Sequence, residues 1–252
     1  MPKKDKLPKE IIVFGNKDKL KNESWAEYRM NNPANFPHPF QMLLLAPQNS
    51  GKTNTIKNVI IQQKPDFDRV LLWLNEGTNE YDDLLKSGAE LFTEPPQLED
   101  LDRTQKQVLI IDDINFNKFD PNFVTTLIRH WSTHYSLSII VSIHDLKNIQ
   151  ACNRRLFNVY LIYKSPDMIS TAQLAQKVGL HSKDLKYIMY KSGLIKNRFT
   201  HVTIDNTSDT PFPLRIGLFE PLEIIEHEDK TKEYVKFANA KDYLGWKNSE
   251  KE

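Results

Sequence analysis

Residues 40–53 read FQMLLLAPQNSGKT, an apolar run of strand type that leads through the loop 46–51 into Lys52 and Thr53. A tight loop between a buried strand and a helix leaves backbone N–H groups unpaired, and these can surround the oxygens of a phosphate chain. The lysine then reaches the β- and γ-phosphates, and the threonine hydroxyl binds Mg²⁺. The stretch therefore predicts a loop that binds ATP and Mg²⁺. The predicted nucleotide-binding residues are Ala46, Pro47, Gln48, Asn49, Ser50, Gly51, Lys52, Thr53 and Asn54.

Ala46 stands where this loop pattern usually has its first glycine. The change adds one methyl group and leaves the Gly51-Lys52-Thr53 core intact. The alternative is an ordinary turn that carries a surface lysine. The apolar strand in front of the loop favours the phosphate-binding interpretation.

Length and composition indicate a globular protein. The 252 residues suit one large α/β domain with a short tail or a small appended lobe, and 39% of them are hydrophobic. No run of about 18 apolar residues occurs, so no transmembrane segment is predicted, and no apolar stretch follows the lysine-rich start, so secretion is not expected. The single cysteine, Cys152, excludes an intrachain disulfide and a cysteine-based zinc site, and is typical of a reducing compartment.

The net charge of +1 conceals a very uneven distribution of acidic and basic residues along the chain. Residues 66–120 contain 14 acidic and 5 basic side chains, whereas residues 147–198 contain 2 acidic and 10 basic ones. This division predicts either a polyanionic partner or a neighbouring subunit whose acidic surface meets the basic one. Solvated helix faces without a partner remain the alternative.

Apolar runs alternate with helical stretches, which is the pattern of a mostly parallel sheet flanked by helices. Strands are predicted at 40–45, 70–74, 108–113, 137–143, 159–163, 199–204 and 214–219, and helices at 53–63, 81–86, 121–131, 170–178 and 182–191. The sheet is predicted to carry a small C-terminal helical and hairpin extension. The predicted domain organisation is a mobile basic tail over 1–22, a nucleotide-binding domain over 23–220 and a charged C-terminal segment over 221–252.

The third predicted strand ends in Asp112 and Asp113. A phosphate-binding loop needs a carboxylate at the end of a neighbouring strand to hold Mg²⁺ through water, and Asp112 fits this position. Asp113 is placed to polarise the water that attacks the γ-phosphate. A further strand follows, an order compatible with the additional-strand, RecA-like class of ATPases. The alternative is a buried strand that merely ends in two solvated aspartates.

Polar residues that could act on ATP also occur after the fourth predicted strand and before the fifth. His144, with Ser142 as the second candidate, is placed to contact the γ-phosphate and sense its hydrolysis, although a lone histidine is more often structural. Arg154 and Arg155 precede the fifth strand, where they can act as an arginine finger on ATP bound by the neighbouring subunit. The alternative is that both arginines form surface ion pairs.

The order of these motifs resembles that of the FtsK–HerA type genome-packaging ATPases, above all the poxvirus-type proteins of large DNA viruses and those of virophages and membrane-containing phages. The likeness runs from about residue 37 to 219, with an aspartate at 113 where glutamate is usual and His144 where glutamine is usual. The resemblance implies a hexameric ring motor that drives double-stranded DNA into a preformed capsid. It also implies capsid or portal-vertex proteins as partners and the virion or a viral assembly site in the host cell as location.

Other functions compatible with the sequence are a P-loop kinase that transfers the γ-phosphoryl group to a small acceptor, a nucleotide-gated scaffold without turnover, and a DNA translocase unrelated to packaging. The paired aspartates favour hydrolysis over transfer to an acceptor. Loop 115–122, directly after the aspartates, is a candidate for contact with DNA in a central pore.

Overall fold

The computed structural model describes residues 32–75, 79–164, 167–191, 196–207, 210–227 and 229–249. The predicted basic tail, residues 1–22, lies outside the described residues. The strands are β1 (Gln41–Leu45), β2 (Arg69–Leu74), β3 (Glu90–Phe92), β4 (Gln107–Asp112), β5 (Leu137–Ile143), β6 (Val159–Tyr163), β7 (His201–Asp205), β8 (Leu214–Ile216), β9 (Glu220–Glu226) and β10 (Lys232–Lys236).

The helices are α1 (Lys52–Gln62), α2 (Asp82–Lys86), α3 (residues 121–134), α4 (Met168–Lys177), α5 (Ser182–Lys191) and α6 (Ala240–Ser249). Helix α3 changes from α-helix (Pro121–Thr125) to π-helix (Thr126–Trp131) and back (Ser132–His134). It starts as predicted, because the Asp120 carboxylate accepts the N–H groups of Asn122 and Phe123 and Pro121 occupies the first helical position. None of the helices in the described ranges combines the length and apolar character that crossing a membrane requires.

The described strands form one ten-stranded sheet in the order β10-β9-β8-β7-β6-β1-β5-β4-β2-β3. The strands from β6 to β3 run parallel to one another, and β7 to β10 run antiparallel to their neighbours. Strand β5 separates β1 from β4, as the additional-strand order requires. The predicted mostly parallel, RecA-like sheet with flanking helices is confirmed.

The central strands are buried on both faces, which explains their continuous apolar runs. In β1, Leu43 and Leu45 pack into the cluster that also contains residues of α3, α4 and α5. Met42 and Leu44 point to the opposite face, where they pack with residues of α1. Complete burial of each such side chain stabilises the fold by about 1.5–3 kcal/mol. Strand β1 is thus fixed from both sides, and so is the loop that it leads into.

The sequence missed four elements, namely β3, β9, β10 and α6. Strand β10 contains three charged residues among five and has no buried side chain, so it lacks the apolar run that reveals a strand.

The third predicted strand ends at Asp112 and leaves Asp113 outside it. The nucleotide-binding domain was predicted to end at residue 220, and strands β8 and β9 pair with each other around that position. The division of the chain into domains stays a prediction.

Candidate nucleotide-binding site

The loop 46–51 connects the carboxyl end of β1 to the first turn of α1. Its backbone enters the left-handed region at Asn49 (φ 55°) and at Gly51 (φ 80°). A Cβ on Gly51 would also lie 3.3 Å from Cδ1 of Phe199, so conformation and space both favour glycine there. Ala46 is not among the described residues with positive φ, and its N–H donates to the carbonyl of Ile143 at 3.0 Å. The loop therefore tolerates alanine at its first position.

Lys52 connects the predicted phosphate-binding loop with the predicted pair of aspartates at the end of β4. Its Nζ lies 3.0 Å from Oδ1 of Asp112 and 2.6 Å from Oδ2 of Asp113, and only 11% of its side chain is exposed. The three residues meet because β1 and β4 are parallel, which places the carboxyl ends of both strands at one edge of the sheet. A lysine at the start of the helix after the loop and a carboxylate at the end of a nearby strand are the groups that P-loop sites use for a triphosphate and Mg²⁺.

His144 follows β5 and lies inside this cluster. Its Nε2 is 2.7 Å from Oδ2 of Asp113, and its Nδ1 is 2.8 Å from the carbonyl oxygen of Ala46. Since both ring nitrogens face acceptors, the protonated ring can donate to both. The hydrogen bond to Asp113 accordingly raises the pKa of His144 above its ordinary value. Ser142 is fully buried, and its hydroxyl has no partner among the described residues, which makes His144 the better-placed sensor candidate.

Asp113 is held in an uncommon backbone conformation with φ 56°. Its N–H donates to the carbonyl of Ser142 at 3.0 Å, and its own carbonyl accepts from Asn75 Nδ2 at 2.9 Å. Burial raises the pKa of Asp113, but hydrogen bonds from His144 and Lys52 outweigh burial and keep this pKa below its ordinary value. Oδ1 has no hydrogen-bond partner among the described residues. Oδ1 is also buried, so the carboxylate keeps one unfilled acceptor position in this conformation.

Two residues of the site, Glu80 and Tyr81, were not predicted. The hydroxyl of Thr53 donates to Oε2 of Glu80 at 2.6 Å, and the hydroxyl of Tyr81 donates to Oδ2 of Asp112 at 2.9 Å. Tyr81 is fully buried, and burial together with the charge of Asp112 raises its pKa far above the ordinary value. The Tyr81 hydroxyl is thus a permanent donor that fixes one oxygen of the Asp112 carboxylate.

The oxygen ligands at this edge fit Mg²⁺ bound together with a nucleotide. Thr53 and Asp112 provide a hydroxyl and a carboxylate, and Mg²⁺ in such sites takes its remaining ligands from water and phosphates. In the described part of the chain, no group of three or more His, Cys, Asp or Glu residues could enclose a metal ion. Thr53 and Asp112 are the residues that would hold Mg²⁺ bound together with a nucleotide.

Arg154 and Arg155 are not brought to this site. They lie in the 3₁₀ helix Asn153–Arg155 ahead of β6, which runs parallel to β1. Both arginines therefore lie toward the amino ends of the strands, opposite the loop 46–51 of the same chain. Arg154 Nε donates to the carbonyl of Ile149 at 3.1 Å, and Arg155 is exposed. Their predicted role in a neighbouring subunit's site stays a prediction.

The predicted pore loop 115–122 is largely anchored to the protein. Phe116 is buried, and both Phe116 and Phe119 make edge contacts with the ring of Trp73. The exposed residues of this loop are Asn117, Lys118, Asp120, Pro121 and Asn122. Its contact with DNA stays a prediction.

No protein-family model matches the chain, and no curated protein matches it significantly. Among solved structures, the genome packaging NTPase B204 from Sulfolobus turreted icosahedral virus 2, in complex with AMP, is similar with a TM-score of 0.50 and 12% identity over 72% of this chain and 98% of that one. The pCW3 conjugation coupling protein TcpA with ATPγS gives a TM-score of 0.47 and 11% identity over 83% of this chain and 65% of that one. The first likeness confirms, at the level of the fold, the resemblance to packaging ATPases.

Proposed function

We propose that this protein is an ATP-hydrolysing motor that forms a hexameric ring and translocates double-stranded DNA into a viral capsid. The observation that carries the proposal is the convergence of Lys52, Asp112, Asp113 and His144 at the sheet edge where β1, β4 and β5 end. Support for packaging comes from the fold that the chain shares with a viral genome packaging NTPase. The proposed partners are DNA and capsid or portal-vertex proteins, and the proposed location is the virion or a viral assembly site.

Each site residue has a separate role in hydrolysis. The N–H groups of loop 46–51 and the ammonium group of Lys52 bind the phosphates, so Lys52 exchanges its carboxylate partners for phosphate oxygens. The Asp113 carboxylate accepts a hydrogen bond from the attacking water, while His144 holds Oδ2 of that carboxylate. Bound Mg²⁺ supplies positive charge that neutralises the phosphate oxygens. A carboxylate placed to polarise water favours hydrolysis over transfer to another acceptor.

The DNA-binding part of the proposal rests on the basic region 147–198. We expect binding to random duplexes without sequence preference, with an affinity that falls steeply as salt rises, because each phosphate contact releases counterions and contributes about −0.9 to the log–log slope. Duplex DNA should also stimulate multiple-turnover ATP hydrolysis. Fluorescence anisotropy from low to physiological salt, with parallel ATPase assays, measures both. Absence of DNA binding at every salt concentration would contradict the motor proposal.

The same assays separate the alternative functions. A scaffold gated by nucleotide would bind ATP without repeated turnover. A small-molecule kinase would release ADP only together with a phosphorylated acceptor and would not respond to DNA. Hydrolysis to inorganic phosphate that rises on addition of duplex DNA is expected only for the motor.

Replacing Tyr81 by phenylalanine is expected to raise the Mg²⁺ concentration needed for half-maximal Mg–ATP binding by about tenfold. The change keeps the buried ring but removes the donor that orients Asp112, and loss of such a partner typically costs 10–100-fold in metal affinity. ATP affinity in the absence of Mg²⁺ should stay unchanged, which a general structural defect would not allow. Titration with a fluorescent ATP analogue measures both affinities.

Tyr243 offers a matched control for this substitution. It is also buried, and its hydroxyl donates to a carboxylate oxygen of Glu223 at 2.7 Å. Tyr243→Phe removes the same kind of hydrogen bond in the separate cluster that packs around α6. An equal Mg²⁺ requirement in the two variants would show that Tyr81 does not position Asp112 for the metal.

A further inference from the structure

Helices α4 and α5 are joined by the short turn 178–181. Gly179 adopts φ 104°, and the N–H of Leu180 donates to the carbonyl of Ala175 at 2.9 Å, which is the bond that closes a Schellman motif. Asn206 Nδ2 donates to the carbonyl of Val178 at 2.8 Å and ties the turn to the end of β7. A short turn that includes glycine between two short helices is a feature of helix-turn-helix units.

The inner face of this unit is buried in the main hydrophobic cluster. Its members recur three or four positions apart, as one face of each helix requires. Ala175 is fully buried. The buried residues are Leu174, Ala175, Val178, Leu180, Leu185, Ile188 and Met189. The opposite face of α5 therefore has a fixed orientation toward solvent.

The outward face of α5 consists of Lys183, Lys186, Tyr187 and Tyr190, again three or four positions apart. Tyr190 is 71% exposed and Tyr187 is 40% exposed. Neither lysine forms an ion pair with any described residue. Asp184, the only acidic residue of α5, is buried. This helix thus presents two cations and two aromatic rings without a carboxylate among them.

Strand β10 holds this face in place. Lys232 Nζ lies 3.0 Å from Oδ2 of Asp184, and the hydroxyl of Tyr234 donates to Oδ1 of Asp184 at 2.9 Å. The ring of Tyr234 stacks on Tyr187 with centroids 4.1 Å apart. These contacts neutralise the one acidic residue of the helix and fix one aromatic ring at its rim. The face is therefore preorganised for binding, which lowers the entropy lost when a partner binds.

We propose that α4 and α5 act as a helix-turn-helix unit that contacts the phosphate backbone of duplex DNA through Lys183, Lys186, Tyr187 and Tyr190. Lysine ammonium groups and tyrosine hydroxyls are donors to phosphate oxygens, and the second helix of such a unit fits the major groove of duplex DNA. The charge of the face is complementary to that of the duplex. This inference rests on the proposed function for its partner and locates the contact within the basic region 147–198.

The test compares the affinity of the full chain and its variants for a labelled random-sequence duplex at several salt concentrations. Lys183→Ala/Lys186→Ala should weaken binding by about tenfold or more at low salt, and its log–log salt slope should be shallower by about 1.8, or 0.9 per lost phosphate contact. Lys86→Ala/Lys241→Ala is the matched control, because it removes the same charge from exposed helix positions elsewhere. The control should keep the wild-type slope.

Tyr190→Ala provides a second variant that leaves the charge unchanged. It should weaken duplex binding while keeping the wild-type salt slope, because it removes contact area without removing a cation. Since Tyr190, Lys183 and Lys186 are exposed, we expect wild-type thermal unfolding midpoints for the variants. Wild-type duplex affinity in both the tyrosine variant and the double lysine variant would overturn the inference.

The outcomes distinguish this inference from the proposed function. Wild-type protein that binds no duplex at any salt would contradict both. Wild-type binding with unaltered affinity and slope in the α5 variants would overturn only the role of α5 and leave the motor proposal standing. A changed oligomeric state in light scattering without a change in DNA affinity would identify the face as a subunit contact and overturn the inference.

Discussion

Replacing Lys52 by alanine is expected to lower ATP turnover by at least about 10²–10³-fold, the loss typical for removal of one donor to the transition-state charge. Nucleotide affinity should fall as well, because the ammonium group contacts the phosphates before and during the reaction. Among the described residues, Lys52 alone forms ion pairs with both Asp112 and Asp113, so no other side chain replaces it there. Steady-state phosphate release and equilibrium nucleotide binding measure the two effects.

Lys64→Ala is the control for loss of one positive charge. Lys64 lies just after α1 and pairs with Asp66 at 2.6 Å near the protein surface. This variant should keep wild-type turnover, since an exposed ion pair contributes little to stability. Turnover near the wild-type rate in the Lys52 variant, with correct folding shown by circular dichroism, would remove the phosphate-binding loop from the proposal.

Removal of Lys52 also has a consequence for the nucleotide-free protein. The low pKa of Asp113 means that its interactions stabilise the fold at pH values above the ordinary pKa of 3.8 and that this stabilisation is lost as the pH falls through the folded-state pKa. The Lys52 variant lacks one of the two hydrogen bonds responsible. The difference in free energy of unfolding between wild type and variant should therefore be present at neutral pH and shrink in acid.

The sequence predicted those parts of the site that depend on local pattern. An apolar run that ends in a defined polar residue reveals both a strand and the residue at its carboxyl end, which is why Lys52, Asp112, Asp113 and His144 were found. Each lies at or directly after the carboxyl end of a parallel strand, or begins the helix after it. Parallel strands have their carboxyl ends at the same edge of the sheet. The proximity of the four residues is therefore a consequence of the fold class alone.

Glu80 and Tyr81 required knowledge that no local pattern provides. They belong to the polar connection after β2, and they reach Thr53 and Asp112 because β2 pairs with β4. That neighbour relation depends on strand order. The position of Phe199 against Gly51 likewise depends on how β7 pairs with β6. The acidic residue in the connection after β2, six positions beyond Leu74, is the one signal that would have indicated Glu80.

Arg154 and Arg155 lie near the amino end of β6. Both precede β6, whose carboxyl end lies beside the phosphate-binding loop. At about 3.3 Å a residue, the strand holds its two ends more than about 10 Å apart, so both arginines lie away from the loop 46–51 of their own chain. If they act on ATP, they act across a subunit boundary. Arg198 differs from them, because its guanidinium lies over the ring of Phe199 next to the loop of the same chain.

Arg154→Ala/Arg155→Ala is expected to lose about 10³–10⁵-fold in turnover, the contribution of a finger supplied in trans, while nucleotide binding to the intact loop remains. Mixing this variant with Lys52→Ala should partly restore ATPase activity. In mixed rings, some interfaces join an intact Lys52 in one subunit to intact arginines in the next. Activity measured across mixing ratios, with mixed assembly verified by light scattering and differential tags, gives the result.

Arg198→Ala provides the comparison for that experiment, because a residue acting within its own chain cannot be complemented. A mixture of Arg198→Ala and Lys52→Ala contains no subunit with both groups, so any activity that Arg198 supports in cis should stay lost. Restoration with the Arg154 and Arg155 variant but not with the Arg198 variant would establish that the site is completed by the neighbouring subunit. If verified mixed rings of the first pair stay inactive, Arg154 and Arg155 do not form the finger, and the ring mechanism must obtain its transition-state cation from another part of the chain.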